Sequence, residues 1–393
     1  MKKVVIGAMA VLALTACSNE EVIQTNEQNN EITFTAVTDK ATSRAADGYC
    51  NSNLPGDFQV WANVPTGTAD EYKPYFGGDK FIKSGSSYIN DGNYRYWPNG
   101  EIKFFACKNA NPEWVTPNYN TIKADFTVNK TVASQVDFIY AVQKVASKPS
   151  TGKTEINFRH ALSQVEFMAK NLNSKIYVEI IGVSVCNVIE NGTFTFPESD
   201  TKPSYEDHTN TTTPTIANKG TWSPGSDLQK YAVSFDKVGL VGKDDAIASS
   251  LTTDNASGKE YHENTMYLMP QTLTTWAPAT YPKPGDAGNK NGYFLLNCKI
   301  WNVAGSAFNS STDVLIWPDT DTYANVAIPI PAGSWEQGKR YVYTFVFTKT
   351  GNGGYDPDPS GDKPEDVLVP ITLDIKVDDF VKGGVDDPVN MTK

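Results

Sequence analysis

The sequence predicts an all-β protein built from β-sandwiches, and three observations support this prediction. Short apolar runs alternate with polar residues at a period of two, which is typical of half-buried strands. Clusters of Gly, Pro, Asn, Asp and Ser separate these runs and mark hairpins and loops. No stretch has the apolar spacing of an amphipathic helix longer than a short turn. Many short strands at irregular spacing are typical of β-sandwiches.

The first residues have the pattern of a signal for an exported lipoprotein. Met1–Lys3 is positively charged, and Val4–Ala13 is an unbroken run of small and aliphatic residues. That run is shorter than the about 20 apolar residues that cross a bilayer, and it fits the apolar region of a secretory signal peptide. Leu14–Cys17 resembles the lipobox of bacterial lipoproteins. We therefore expect residues 1–16 to be removed and Cys17 to carry lipid that holds the protein at the outer membrane. The alternative is an ordinary signal peptide with a chance cysteine.

Residues 17–44 are predicted to form a lipidated tether and a removable N-terminal strand. Ser18–Asn30 has only two apolar residues, which favours a flexible tether. Its acidic start resembles the export signal of surface lipoproteins in Bacteroidota; the alternative is a solvated spacer. Ile32–Val37 then alternates apolar and polar residues and is predicted to be a strand, with Ile32, Phe34 and Ala36 on one face.

Further strand-like runs follow along the chain. They lie at residues 58–61, 102–106, 136–141, 155–158, 165–168, 176–185, 193–196, 231–235, 265–269 and 293–301. The two most regular runs come last. Tyr341–Phe347 has aromatic residues at alternate positions, and Ile371–Val377 alternates apolar and polar residues throughout. Asn171–Ser174 interrupts two strand-rich halves, so we predict sandwich domains at residues 45–172 and 173–393.

Composition and motifs argue against several functions. The formal net charge of −11 and the lack of Lys/Arg clusters argue against nucleic acid as a partner. The cysteines outside the lipobox form no Cys-x-x-Cys pair, which argues against a zinc site, and their disulfide pairing stays open. Neither His-Glu-x-x-His nor Gly-x-Ser-x-Gly occurs, so we expect no catalytic residue, metal or cofactor, and no enzyme. The four cysteines outside the lipobox are Cys50, Cys107, Cys186 and Cys298.

Several motifs together resemble the fimbrillins of Bacteroidota, the fimbrillin-like lipoproteins of type V pili. The motifs occur in order from the lipobox to the last strand and cover nearly the whole chain. They are Ile32–Ala36, Phe158–Val165, Tyr267–Leu273, Trp335–Tyr343 and Val377–Val381. The resemblance implies two transthyretin-like β-sandwich domains in tandem. It also implies a structural subunit or adhesin of type V fimbriae that serves cell adhesion.

The resemblance also implies a route of assembly. Fimbrillins mature by cleavage after an arginine near the N terminus, which removes the first strand, and a C-terminal strand of the next subunit fills the groove. Here it implies cleavage between Arg44 and Ala45, within the small-residue stretch Thr42–Gly48. The donor strand would present Ile371, Leu373, Ile375 and Val377 on one face. Such contacts join other fimbrial subunits head to tail.

Several of these predictions have alternatives. Ile371–Val377 can be the last strand of the second sandwich, and Arg44 an ordinary loop residue. A shaft, tip or anchor role, and a host or bacterial surface ligand, are equally open. The second hypothesis is a surface glycan-binding lipoprotein of a polysaccharide-uptake system, which the aromatic content of 11% allows. A glycan binder should expose two or three aromatics on one face, whereas a pilin should have a removable strand over an apolar groove.

Overall fold

The computed structural model describes residues 30–38, 54–199, 201, 218–251, 265–281, 283–350, 353–359 and 370–379. Within these ranges the chain forms strands and loops with one turn of 3-10 helix, Val132–Ser134. The all-β prediction is therefore confirmed. The helical residues in the described ranges are too few to cross a membrane. The transthyretin-like form and the number of tandem domains stay predictions.

The strands are numbered in chain order. Those of the first part are β1 (Thr33–Thr38), β2 (Asp57–Pro65), β3 (Tyr72–Ser84), β4 (Ser87–Asn90), β5 (Ile102–Lys108), β6 (Glu113–Trp114), β7 (Ile122–Thr127), β8 (Ile139–Val145) and β9 (Lys153–His160). Next come β10 (Ser163–Asn171), β11 (Ile176–Ile189), β12 (Asn191–Thr195), β13 (Thr221–Pro224), β14 (Leu228–Val241), β15 (Ser249–Ser250), β16 (Met266–Leu268) and β17 (Gln271–Leu273). The last are β18 (Tyr293–Asn302), β19 (Val314–Trp317), β20 (Ala324–Pro329), β21 (Gly333–Trp335), β22 (Lys339–Phe347) and β23 (Ile371–Asp379).

The strands β1–β9 are called the first part of the chain, and β10–β23 the second part. Seven strands of the first part form a closed sheet in the order β1-β4-β3-β2-β5-β8-β9, in which β9 pairs with β1. All neighbouring pairs are antiparallel except β1 and β9, which are parallel. An odd number of strands cannot alternate in direction all the way round a closed sheet, so one neighbouring pair must be parallel. In this protein that pair includes the first strand.

Two further sheets pack face to face and form a sandwich. One has the order β15-β10-β22-β23, with β16 also pairing with β10, and the other has the order β14-β11-β18-β19, with β20 also pairing with β18. Phe294 from the second sheet contacts Phe167 and Phe345 of the first, with ring centroids 5.7 and 5.5 Å apart. These edge-to-face contacts are typical of a packed sandwich core.

A small four-stranded sheet, β13-β12-β7-β6, connects the two parts of the chain. It pairs β7 of the first part with β12 of the second, and Phe194 on β12 packs on Tyr140 of β8 at 4.6 Å. A two-stranded sheet joins β17 and β21. The strand β10 lies before residue 172 but pairs with β22 of the second part. The division at residues 172 and 173 stays a prediction.

Several strands differ from the sequence-based runs, and two regions show why. The run predicted at 136–141 starts as a strand only at Ile139, because Val136 is 43% exposed and the carboxylate of Asp137 turns inward to His160, 2.9 Å from Nδ1. The long strand β3 had no alternating pattern to reveal it. Its glycine at Gly77 lies under the ring of Trp61, where a Cβ atom would be only 3.1 Å from a ring carbon. Close packing, rather than periodicity, therefore fixes this part of the sheet.

Candidate functional site: the first strand and the slot that it fills

The strand β1 closes the seven-stranded sheet. It pairs with β9 over six residues, from Thr33 opposite Lys153 to Thr38 opposite Phe158. On its other side it meets β4 at one registered pair, Phe34 with Tyr88. The space between β4 and β9 that β1 occupies is called the slot below. Without β1, the sheet has two open edges.

The inward face of β1 is part of an apolar core of its own. Ile32 and Phe34 are fully buried and Ala36 is 8% exposed. The ring of Phe34 lies edge-on to Phe81 and Phe104, with centroids 4.8 and 5.0 Å away. These residues belong to a cluster inside the closed sheet, called the small core, which is distinct from the large core of the sandwich. Phe34 is therefore a central side chain of the small core, although it lies on the first strand.

Backbone and polar contacts hold the start of β1. The amide of Ile32 donates to the carbonyl of Arg95 at 2.7 Å, and the amide of Trp97 donates to the carbonyl of Asn30 at 2.9 Å. The indole N–H of Trp97 donates to the carbonyl of Gly152 at 3.2 Å, on the turn before β9. These bonds tie the β4–β5 connection to the start of β1 and to the turn before its neighbour β9.

One side chain links the two strands that flank the slot. Lys153 at the start of β9 donates from Nζ to Ser87 Oγ on β4 at 2.9 Å. β1 lies between these two strands in the sheet. A single hydrogen bond from a lysine contributes about 1–3 kcal/mol at most. It cannot replace the backbone ladder that β1 supplies.

Glu31 makes the stability of the fold at the start of β1 dependent on pH. It pairs with Tyr96 in an isolated bridge, and its Oε1 is buried and accepts no hydrogen bond within the described residues. Burial raises the pKa of its carboxyl above the usual value. Because the folded pKa is the higher one, the stability linked to the neutral carboxyl is present at low pH and is lost as pH rises through the raised pKa. Ionisation of Glu31 therefore disfavours the folded chain at this position.

The predicted donor strand lies at a sheet edge and is less buried than β1. The strand β23 pairs with β22 along nine residues. Along its apolar face Ile371 is 2% exposed, Leu373 and Ile375 are half-buried against the large core, and Val377 is 45% exposed. On the other face Asp374 forms a partly exposed ion pair with Lys170 at 2.9 Å. The apolar face of β23 is therefore only partly buried in its own sheet.

The other predicted site residues are placed as follows. Cys17, Arg44 and Ala45 lie outside the described residues, as does Cys50. The remaining three cysteines are free thiols, and burial raises the pKa of each, that of Cys186 to about 11. Such thiols are inert packing groups rather than nucleophiles. Among the described residues, no group of three or more His, Cys, Asp or Glu could hold a metal ion.

A group of exposed aromatics near the start of β1 was not predicted from the sequence. Tyr94 is 65% exposed, Tyr75 38% and Tyr96 37%. The hydroxyl of Tyr75 donates to the carbonyl of Tyr96 at 2.8 Å. These three residues are called the tyrosine patch. The sequence feature that could have indicated the patch is the aromatic-rich run Tyr94–Trp97. In the structure Trp97 is buried and the two tyrosines are exposed.

Comparison with known proteins places these features in a family. The model of the fimbrillin-like family matches residues 24–358, most of the chain. Strand β23 and the lipobox lie outside the matched range. No curated protein matches the sequence.

Two solved structures are similar over most of the chain. A fimbrial protein from Bacteroides vulgatus ATCC 8482 is 12% identical, with a TM-score of 0.55 over 90% of this chain and 100% of that one. A candidate cell adhesion protein from Bacteroides uniformis ATCC 8492 is 14% identical, with a TM-score of 0.41 over 89% of this chain and 98% of that one. At 12% identity, the first comparison supports the fold alone.

The burial of Phe34 gives a direct prediction. Phe34→Ala should lower the free energy of unfolding by about 3–5 kcal/mol, because it leaves a cavity in the small core. Thr35→Ala, on the outward face of the same strand, should cost about 1 kcal/mol or less. Urea denaturation of both variants measures the difference. Equal losses of unfolding free energy in the two variants would show that the inward side chains of β1 do not hold it in the slot.

Proposed function

The chain belongs to the fimbrillin-like family, and from this we propose that it is a surface lipoprotein that serves as a structural subunit or adhesin of type V fimbriae. Membership supports a fimbrial, adhesion-type role at the cell surface and a structural rather than enzymatic protein. We further propose that the subunits assemble by donor-strand exchange after cleavage at Arg44.

One observation carries the assembly proposal: β1 supplies the central aromatic of the small core and closes a sheet that otherwise has two open edges. Departure of β1 would expose unpaired backbone groups on β4 and β9 beside an apolar slot. A strand from another subunit would restore the ladder and fill the slot with its alternate side chains. Each subunit would then receive one strand and give one, which makes an open head-to-tail polymer.

We propose that β23 is the donated strand. Its apolar residues Ile371, Leu373 and Ile375 have the same spacing of two as Ile32, Phe34 and Ala36. Its place at a sheet edge means that its departure disrupts one ladder, with β22, rather than two. A mid-sheet strand such as β22 would have to break two ladders to leave.

The proposed location follows from the signal at the N terminus. Lipid on Cys17 would anchor the precursor in the outer membrane, with the folded part outside the cell. Cleavage after Arg44 would then separate the folded part from its anchor as well as from β1. One cut would release the subunit and open the slot, and the cleaved subunit would enter the fimbrium.

Glycan binding is the second candidate function, and the tyrosine patch is the observation that favours it. Tyr94 and Tyr96 flank Arg95 in the sequence, the hydroxyl of Tyr75 donates to the carbonyl of Tyr96, and Arg95 forms a 2.6 Å ion pair with Asp79. Aromatic faces with polar neighbours can stack on sugar rings. Binding of polysaccharides to the uncleaved protein, lost in Tyr94→Ala, would support this function over assembly.

Limited proteolysis tests the cleavage step. Besides Arg44, the sequence contains Arg95, Arg159 and Arg340, and each is held in the fold: Arg95 pairs with Asp79, Arg159 donates to the carbonyl of Thr201, and Arg340 pairs with Glu166. An arginine-specific protease should therefore cut native protein first between Arg44 and Ala45. N-terminal sequencing and a ladder of stable oligomers on a native gel give the result.

The control for this experiment is Arg44→Gln, which should stay uncut and monomeric under the same treatment. A protein that is cut after Arg44 but stays folded and monomeric at high concentration would contradict assembly by strand exchange.

The donor face of β23 is tested with synthetic peptides of residues 370–379, so that folding of the variant is not at issue. Cleaved protein should capture the parent peptide. The Leu373→Asp peptide should bind at least tenfold more weakly, because it places a charge in the apolar slot. The matched control is the Thr372→Asp peptide, which carries the same charge on the opposite face and should bind like the parent. Equal binding of all three peptides would exclude β23 as a sequence-specific donor.

A further inference from the structure

The direction of β1 determines which end of the closed sheet a donated strand enters. β1 and β9 are parallel, with Thr33 level with Lys153 and Thr38 level with Phe158. β9 ends at His160, and β10 of the sandwich starts three residues later. The end of β1 therefore faces the subunit's own sandwich, and the start of β1 lies at the opposite end of the closed sheet.

The rest of the subunit, including the small four-stranded sheet, already covers the end of the slot where β1 ends. Ser163 Oγ donates to the carbonyl of Glu336 at 2.8 Å, just beyond β9. The amide of Gly338 donates to the carbonyl of Leu162 at 2.9 Å. The indole N–H of Trp222 donates to the carbonyl of Ala161 at 2.7 Å. A neighbour arriving at this end would meet the acceptor's own sandwich, so the open end of the slot is the one where β1 starts.

We propose that the tyrosine patch is the surface on which the strand-donating neighbour, a second copy of this chain, docks. The proposal rests on the proposed strand exchange. A donated β23 that runs in the direction of β1 places its first residue, Ile371, at the open end. Because β23 follows the rest of its chain, the body of the donor lies on the side of Ile371. The tyrosine patch adjoins this end of the slot, because Tyr94 and Tyr96 flank Arg95, whose carbonyl is bonded to the amide of Ile32.

The patch is continuous with the start of the slot through the backbone. The carbonyl of Arg95, between Tyr94 and Tyr96, accepts the hydrogen bond from the amide of Ile32 at 2.7 Å. A donated strand would take over this bond and would lie beside both tyrosines. The side chain of Arg95 is fixed by its ion pair with Asp79 at 2.6 Å and lies 5.3 Å from the ring centre of Phe76. The patch is thus presented on a constrained segment.

The chemistry of the patch suits a protein partner. Tyrosine gives a large contact area at low entropic cost and is enriched among residues that dominate interface energies. The donor's body cannot be far away, because eleven peptide steps separate Pro359 from Pro370 and span at most about 40 Å. Capture of β23 therefore holds the neighbour's body within reach of the patch, where even a weak contact is favoured by its high effective concentration.

The experiment compares strand capture with subunit assembly in the same variants. Cleaved Tyr94→Ala protein is tested for binding of the synthetic 370–379 peptide and for the lifetime of its oligomers after dilution. We expect unchanged peptide binding and oligomers that dissociate roughly tenfold faster. The control is Val136→Ala, which truncates a partly exposed apolar side chain at the opposite end of the closed sheet and should leave both measurements unchanged.

Each other outcome overturns the proposal, and the following four also identify what is wrong. Parental oligomer lifetime in Tyr94→Ala, with faster dissociation in Val136→Ala, would place the neighbour at the other end. Loss of peptide binding in Tyr94→Ala would mean that the patch shapes the slot and does not contact a neighbour. Normal assembly with lost polysaccharide binding would assign the patch to a glycan. If the parent itself captures no peptide, strand exchange fails and this inference fails with it.

Discussion

Closure of an odd-stranded sheet by one short strand is the constraint on which the first part of this protein depends. Seven strands alternate in direction except at β1 and β9, and β1 also carries Phe34 into the small core. Six residues near the N terminus therefore supply the ladder with β9, close the sheet and add Phe34 and Ala36 to the small core. A strand at this place contributes much to the fold, yet it can be separated from the rest of the chain by one cut.

Connectivity explains why an intact chain would keep its own strand. While β1 is covalently attached, it competes for the slot at an effective concentration of the order of millimolar, whereas a strand of another subunit is present only at its bulk concentration. A cut after Arg44 would remove this advantage, so that a released β1 could be replaced by a strand that other contacts hold in place. The unequal burial of β1 and β23 fits this order of events, because β23 leaves Val377 45% exposed in its own sheet.

The sequence was sufficient to predict strands whose alternation is local. Ile32–Val37, Tyr341–Phe347 and Ile371–Val377 each lie within one residue or two of the observed β1, β22 and β23. The partners of these strands could not be predicted, because pairing is non-local: Thr33 bonds to Gly152, 119 residues away. The strand β4 is only four residues long, too short for a periodic signal. The tyrosine patch combines Tyr75 with Tyr94 and Tyr96, so only the fold brings its members together.

The central claim is that β1 must leave its slot before subunits can join, and a reversible lock tests it most directly. Thr35 and Glu155 are registered partners on the outward face of β1 and β9, and neighbouring strands lie about 4.8 Å apart, within the range of a disulfide. In a Cys50→Ser background, Thr35→Cys with Glu155→Cys would link the two strands under oxidising conditions. After cleavage at Arg44, the oxidised protein should stay monomeric, and reduction should start assembly at the parental rate. Assembly of the oxidised, cleaved protein at the parental rate would contradict the account.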